Sequence, residues 1–273
     1  MNLTNFKPQL VGTGEADYFI YKNEVAIIEP KIDGIRVIVE KIGKAIKLYS
    51  RNMRDWTKKF KPIINKLLEG IKYENCILDG EMAVIKDKKF TSSNFIMKNN
   101  LAENEKYVYF VFDIIEIGND NMMVNDIVTR KQHLTFGIKP NENLLLVPYT
   151  IINNIEDYEN IYKKILDKGG EGIVLKNFSP YMQGRSYNWL KKKPFETLDL
   201  EIVSKKEKKD KKGWIYGLND EGIKVCSTCS NLNLELGQVV EIKFEKKYEK
   251  KNGYSLRFPK IFRVREDKIE KVI

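Results

Sequence analysis

Glu29-Pro30-Lys31-Ile32-Asp33-Gly34-Ile35-Arg36 sets a lysine, a carboxylate and an arginine around one Asp-Gly turn. VAIIE (25–29) before it and IRVIVE (35–40) after it are β-branched runs that read as strands. A strand thus ends at a lysine amine, turns, and resumes at a guanidinium. A lysine among cations, or partly desolvated, releases its proton more readily and becomes a nucleophile. Attack on a phosphoryl group suits such a site, because neighbouring Arg and Lys stabilise the charge that develops in the transfer. Taken alone, the octapeptide is more safely read as a hairpin turn with flanking charges.

Short strand-like runs continue on both sides. AIKLYS follows Gly43, and CILDGEMAVI (76–85), YVYFVFDII (107–115), EGIVLK (171–176) and WLKKKP (189–194) come later. Trp56, Phe60, Ile63, Leu67 and Leu68 recur at helical spacing before Gly70, with Pro62 placing the start of the helix proper. A second helix is expected over 156–168, with Tyr158, Tyr162, Ile165 and Leu166 on one face and Gly169-Gly170 as its stop. After Pro194 the texture changes. LEIVS, GWIYGL, GIKV, QVVEIKF and FRVR are short strands without a helical repeat, the pattern of a small β-barrel. The lysine-dense segments 204–212 and 246–251 read as loops or hairpin tips.

The 273 residues carry 48 Lys+Arg against 38 Asp+Glu, a formal charge of +10. This favours a polyanionic partner, nucleic acid before acidic lipid, although an AT-rich genome would also enrich lysine. Only eight of the basic residues are arginine, at 36, 51, 54, 130, 185, 257, 263 and 265. Arginine's planar fork is the group that grips phosphate in one orientation, so each position is informative. At 42% hydrophobic the chain can build a core and is too apolar for general disorder. One histidine, His133, excludes multi-His zinc sites, HExxH proteases and most His-based triads. No apolar run approaches the ~18–20 residues of a membrane span, and MNLTNFKPQL carries no readable signal peptide. Cys76, Cys226 and Cys229 cannot all pair, so a reducing, cytoplasmic location is expected. Cys226 and Cys229 form a CxxC, but without a second pair a structural zinc is not expected.

The octapeptide has ordered company. After KIDGIR come YSRN (49–52), LDGEM (78–82), YFVFDII (109–115), EGIVLK (171–176), RSYNWLKKK (185–193) and LRFPKIFRVREDK (256–268). In this series the chain resembles the covalent nucleotidyltransferases, most closely the ATP-dependent DNA ligases of the minimal viral, phage and bacterial type. The resemblance implies an α+β architecture. A nucleotidyltransferase (adenylation) domain of antiparallel sheets with helices would span residues 1–196, and a C-terminal OB-fold β-barrel residues 197–273. It implies sealing of 3′-OH/5′-phosphate nicks in duplex DNA by a monomer, with ATP and Mg²⁺ (or Mn²⁺).

Roles follow residue by residue from that resemblance. Lys31 would form the lysyl–AMP phosphoramidate and Glu29 would read the adenine amino group. Phe112 would stack on the purine. Arg36 would hold the ribose or the nick 5′-phosphate, with Arg51 and Arg185 also at the 5′-phosphate. Arg36 and Arg51 would act as bidentate grips. Glu81 and Glu171 would contact the ribose and the metal, as hard oxygen ligands suit Mg²⁺. Asp33 would serve strand closure. Lys191 and Lys193, alternate residues of one strand, would contact the AMP phosphate. Arg265, Asp267 and Lys268 would orient the pyrophosphate of ATP. Two departures stand out: Val225–Cys229 replaces a Gly-rich V-G-x-G-like stretch, and only a short hairpin tipped by KKYEKK fits where larger relatives carry a long latch.

An mRNA capping guanylyltransferase shares KxDGxR and the motif order, but Glu29 and RFPKIFRVREDK resemble a ligase. The same ending argues against an RNA ligase. A non-catalytic, OB-containing nucleic-acid binder would require decay of a motif set that is intact. There is no GxxxxGK[ST] loop, so ATP would be used without P-loop chemistry.

Overall fold

The computed structural model describes residues 3–86, 89–90, 96, 101–250 and 253–268. The chain divides into two compact units, Met1–Lys192 and Lys193–Ile273. Residues 193–196, expected on the first domain, therefore fall in the second unit.

In the first unit the order is β1 (Leu10–Gly12), α1 (Ala16–Asn23), β2 (Ala26–Pro30), β3 (Ile35–Ile42), β4 (Ala45–Ser50), α2 (Ile64–Gly70) and β5 (Asn75–Lys86). There follow β6 (Lys89–Phe90), β7 (Glu105–Ile117), β8 (Asp120–Asn121), α3 (Ile127–Gly137), β9 (Leu144–Leu146), β10 (Thr150–Ile152), α4 (Ile155–Asp167), β11 (Ile173–Asn177) and β12 (Arg185–Lys192). They form a five-stranded sheet, β1-β12-β11-β2-β10, and a seven-stranded sheet built on β4-β3-β5-β7-β8. Among the described residues of this unit, all strand pairings are antiparallel except β1 with β12 and β7 with β9.

The strands either side of the Asp-Gly turn are not partners. β2 lies in the five-stranded sheet and β3 in the seven-stranded one, so Lys31–Gly34 crosses between sheets rather than closing a hairpin. The two sheets share a core: Ile27, Ile38, Ile77, Phe110, Phe112 and Trp189 pack together, drawn from β2, β3, β5, β7 and β12. Alternate residues face outward into further cores. Val37, Val39, Leu78 and Val111 meet Phe60 and Leu67 beside α2. Ile28 and Leu175 meet Phe19, Ile20 and Tyr158 of α1 and α4. Both sheets are therefore buried on both faces, which is why their strands are near-continuous apolar runs. Each fully buried Val, Leu, Ile or Phe contributes roughly 1.5–3 kcal/mol.

The expected helix beginning near Pro62 opens as a 3-10 turn, Lys61–Ile63, and becomes α2 only at Ile64. α4 is capped by Asn154, whose side chain accepts from the Asp157 amide at 2.8 Å, and Gly169 ends it at φ +78°. Two helices, α1 and α3, have no counterpart in the expectations from sequence.

The second unit comprises β13 (Glu196–Glu207), β14 (Trp214–Asp220), β15 (Ile223–Ser230), β16 (Val239–Phe244), β17 (Lys246–Lys250), β18 (Gly253–Arg257) and β19 (Lys260–Val264). Five strands form an antiparallel sheet, β15-β14-β13-β16-β19, over a core of Leu200, Ile202, Tyr216, Leu218, Val240 and Phe244. β17 and β18 pair as a separate ribbon. Lys246–Lys250, expected at a hairpin tip, is thus itself a strand, whose backbone pairs with β18 while all five of its side chains stay exposed; Lys251 lies outside the described residues. Likewise Ser204–Glu207 continues β13, leaving only the later part of that lysine segment as a turn. Among the described residues, no helix is long and apolar enough to cross a membrane.

Candidate active site

Pro30 faces Ile173 at the end of the β2·β11 ladder, and the Lys31 amide donates to the Gly172 carbonyl at 2.9 Å. That register brings Glu171 beside Lys31, whose Nζ lies 2.5 Å from Glu171 Oε2. Gly34 then passes so close to β5 that a Cβ there would stand 2.4 Å from the Met82 carbonyl oxygen. This close approach explains the glycine of the turn. On re-entry, Ile35 and Arg36 pair with Met82 and Glu81 of β5.

The Arg36 guanidinium forks onto the buried Asp79 carboxylate through Nε and Nη2, and Nη2 also donates to the Gln9 carbonyl at 3.2 Å. Tyr181 donates to the same Asp79 at 2.6 Å. The guanidinium lies over the Phe112 ring, 4.5 Å from its centre. Although burial would strip its proton, Asp79 holds Arg36 above its ordinary value. For Glu81 burial wins: reinforced by Asp79 and Glu171, it pushes the carboxyl up to about 7 against the pull of Arg36 and Lys31.

A cavity of about 590 Å³ opens over these groups, and Glu29, Lys31, Arg36, Arg51, Glu81, Phe112, Arg185 and Lys191 all line it. A flat apolar ring, an amine and convergent cations suit a nucleotide with its phosphates. Glu81 and Glu171, two hard carboxylates close enough for the charge of Glu171 to help raise Glu81, fit one divalent cation shared with phosphate oxygens. Among the described residues no three metal-ligating side chains converge, so protein alone supplies no closed cage.

A family model described as an ATP dependent DNA ligase domain matches residues 13–193. The chain belongs to that family. Among curated proteins it is 27% identical to DNA ligase 2 of Methanosarcina acetivorans, over 89% of this chain and 52% of that protein. It is 29% identical to the DNA ligase of Methanoculleus marisnigri, over 90% of this chain and 52% of that one. The chain thus spans about half the length of these relatives. In fold it is similar to the ligase domain of M. tuberculosis LigD, with a TM-score of 0.62 at 17% identity over 98% of this chain and 97% of that one. It is also similar to a Lig E DNA ligase structure described as DNA binding with a minimal scaffold, with a TM-score of 0.64 at 18% identity over 95% and 99% of the two chains.

The structure locates the remaining expected residues in both units. Lys193 does not share a strand with Lys191: β12 ends at Lys192, and Lys193 pairs with Glu245 of the second unit at 2.9 Å. The Nε/Nη2 edge of Arg36 is committed to Asp79, so that edge is a fixed wall of positive charge and not the bidentate phosphate grip expected. Arg51 stands exposed in the turn after β4, and Arg185 is exposed at the start of β12. In the second unit, Arg265 is held by Asp199 at 2.6 Å and Asp267 at 2.8 Å. The side chain of Lys268 lies outside the described residues.

Sequence reasoning missed Asp79, Lys131, Lys176 and Trp189. Asp79 and Trp189 sat inside quoted motifs, two residues from Glu81 and Lys191, where alternation along a strand would have placed them toward the same side; Lys176 sat inside a quoted motif with no chosen neighbour at that spacing. Lys131 carried no such signal.

Proposed function

We propose that this chain is an ATP-dependent DNA ligase that seals 3′-OH/5′-phosphate nicks through a lysyl-AMP intermediate. The observation that carries this reading is the Lys31 amine at a nucleotide-sized cavity with Glu171 Oε2 2.5 Å away. Glu171 is placed to take a proton from Lys31 as the amine attacks the α-phosphorus of ATP. The N–P bond forms, the bond to pyrophosphate breaks, and pyrophosphate leaves. Glu29 meets the purine amino group and Phe112 its face. A 5′-phosphate oxygen of the nick next displaces Lys31, and the 3′-OH then attacks the 5′-phosphate as AMP departs. Arg51, Arg185 and Lys191 line the wall where those phosphates would lie, with Arg36 as fixed charge. Asp33 sits at the crossover beside Lys31 and is assigned to strand closure. Mg²⁺, held by Glu81 and Glu171 with phosphate oxygens, would supply Lewis-acid stabilisation of the phosphoryl charge.

The β-rich second unit reads as an OB-fold barrel, and Arg265, Asp267 and Lys268 as the group orienting pyrophosphate. Support comes from the short antiparallel strands and from Arg265 being pre-set by two carboxylates. The test is intact-mass analysis after ATP and Mg²⁺, beside GTP as control. One adenylyl group should be gained from ATP alone and released on adding nicked duplex. Lys31→Arg should abolish the adduct, since a guanidinium stays protonated; an undiminished adduct in that variant would exclude the assignment.

A further inference from the structure

Glu29 is only 3% exposed and binds two buried lysines from different elements: Lys131, midway along α3, on Oε1, and Lys176 of β11 on Oε2 at 2.8 Å. Lys131 lies in none of the motifs. Beside them Arg130 grips the buried Asp113 through bonds of 2.7 and 3.1 Å. The cluster therefore sets three cations, Arg130, Lys131 and Lys176, against two carboxylates. Burial tends to raise Asp113, but Arg130, Lys176 and Lys131 together hold it below the ordinary carboxylate range.

A buried surplus charge destabilises a fold unless something answers it. Part of the answer is aromatic: Lys176 Nζ lies 4.6 Å from the Phe112 ring centre and 4.1 Å from that of Trp189. Even so, burial pushes Lys176 down to about 8. Neither ammonium, nor Glu29 Oε1, makes an aligned hydrogen bond among the described residues. Glu29, Lys176 and Phe112 line the cavity, whereas Lys131 does not.

We propose that Lys131 is a positioning residue for the nucleotide base: it fixes Glu29 and leaves the cluster one positive charge in excess, which the electron-rich ring-nitrogen edge of a bound purine offsets. This rests on reading the cavity as an ATP site. The charge count gives the proposal an unusual signature. Removing the Lys131 charge leaves two cations for two carboxylates, so the free protein should not be weakened while its hold on the nucleotide is. A lysine kept for structure would behave in the opposite way.

The experiment uses the full chain with Lys131→Met and Lys131→Arg. Thermal unfolding is measured without nucleotide, and the self-adenylylation rate is measured against ATP concentration. For Lys131→Met the midpoint should be unchanged or higher, the half-saturating ATP concentration should rise about tenfold, as for loss of one charge-assisted contact, and the saturating rate should stay within about twofold. Lys131→Arg should restore the half-saturation to within about twofold, because the charge returns. A lowered midpoint, failure to fold, or an unchanged ATP requirement in Lys131→Met overturns the proposal. If the parent forms no adenylate, titration calorimetry with ATP tests the lysine apart from the chemistry. Weaker binding by Lys131→Met then supports the role, and equal or absent binding overturns it.

Discussion

Gly34 shows how one residue couples the turn to its chemistry. A methyl group there would press on the Met82 carbonyl and the Glu81 side chain at 2.4 and 2.7 Å. Because the obstacle is partly backbone, Gly34→Ala should cost about 2–4 kcal/mol in denaturant unfolding and lower adenylylation by displacing Lys31 from Glu171. Lys176 offers a second test, through pH. Its folded value of about 8 lies below the ordinary 10.5, so between those values the unfolded chain binds more protons and stability rises with pH. Below pH 8 the buried ammonium is a burden. The parent should therefore gain stability relative to Lys176→Met between pH 8 and 10.5, by an amount on the order of 2 kcal/mol. Denaturant unfolding of both proteins at pH 7 and pH 10 reads the difference, and a constant gap would contradict the assignment. That Lys31, Glu81 and Phe112 share one cavity was legible because each sits in a short motif string. Asp79, the counter-ion of Arg36, was harder to see, since a buried counter-ion is defined by what folds against it.

At the scale of elements, strands were easier to read than helices. β3 and β7 are buried on both faces along their middles, so their central positions are mostly β-branched or aromatic. α3 was missed because Arg130 and Lys131 point into the core from its centre, breaking the apolar stripe by which a helix is recognised. α1 is only eight residues long and mixes Phe19 and Ile20 with exposed Tyr18 and Tyr21. The β17–β18 ribbon also carries a prediction. Lys246, Lys247 and Lys250 lie on one fully exposed strand, where each phosphate contact would release counterions. Replacing the three with Gln should flatten the slope of log affinity against log salt for nicked duplex by roughly 1–3. Adduct yield, set by short-range contacts, should not change. Nick-binding titrations at several salt concentrations decide it, and an unaltered slope would mean that the strand does not touch DNA.

For the molecule as a whole, two compact units divide the proposed chemistry. Arg265→Ala in the full chain should slow reaction with ATP by roughly 10²-fold, the usual cost of losing one charge-stabilising donor. Sealing of a nick that is already adenylylated should persist, because the residues assigned to strand closure all precede Lys192. Equal loss of both steps in single-turnover assays would refute that division. The three cysteines of the chain are distributed unevenly with respect to it. Burial pushes the Cys76 thiol up to about 12 and the Cys226 thiol up to about 11, while Cys229 stands exposed on β15. A thiol so raised is almost wholly protonated near neutrality and reacts slowly. Native protein should therefore take up a maleimide fluorophore or a nitroxide chiefly at Cys229. The unmutated chain carries its own attachment point on the second unit, through which each stage of the reaction can be watched by spectroscopy.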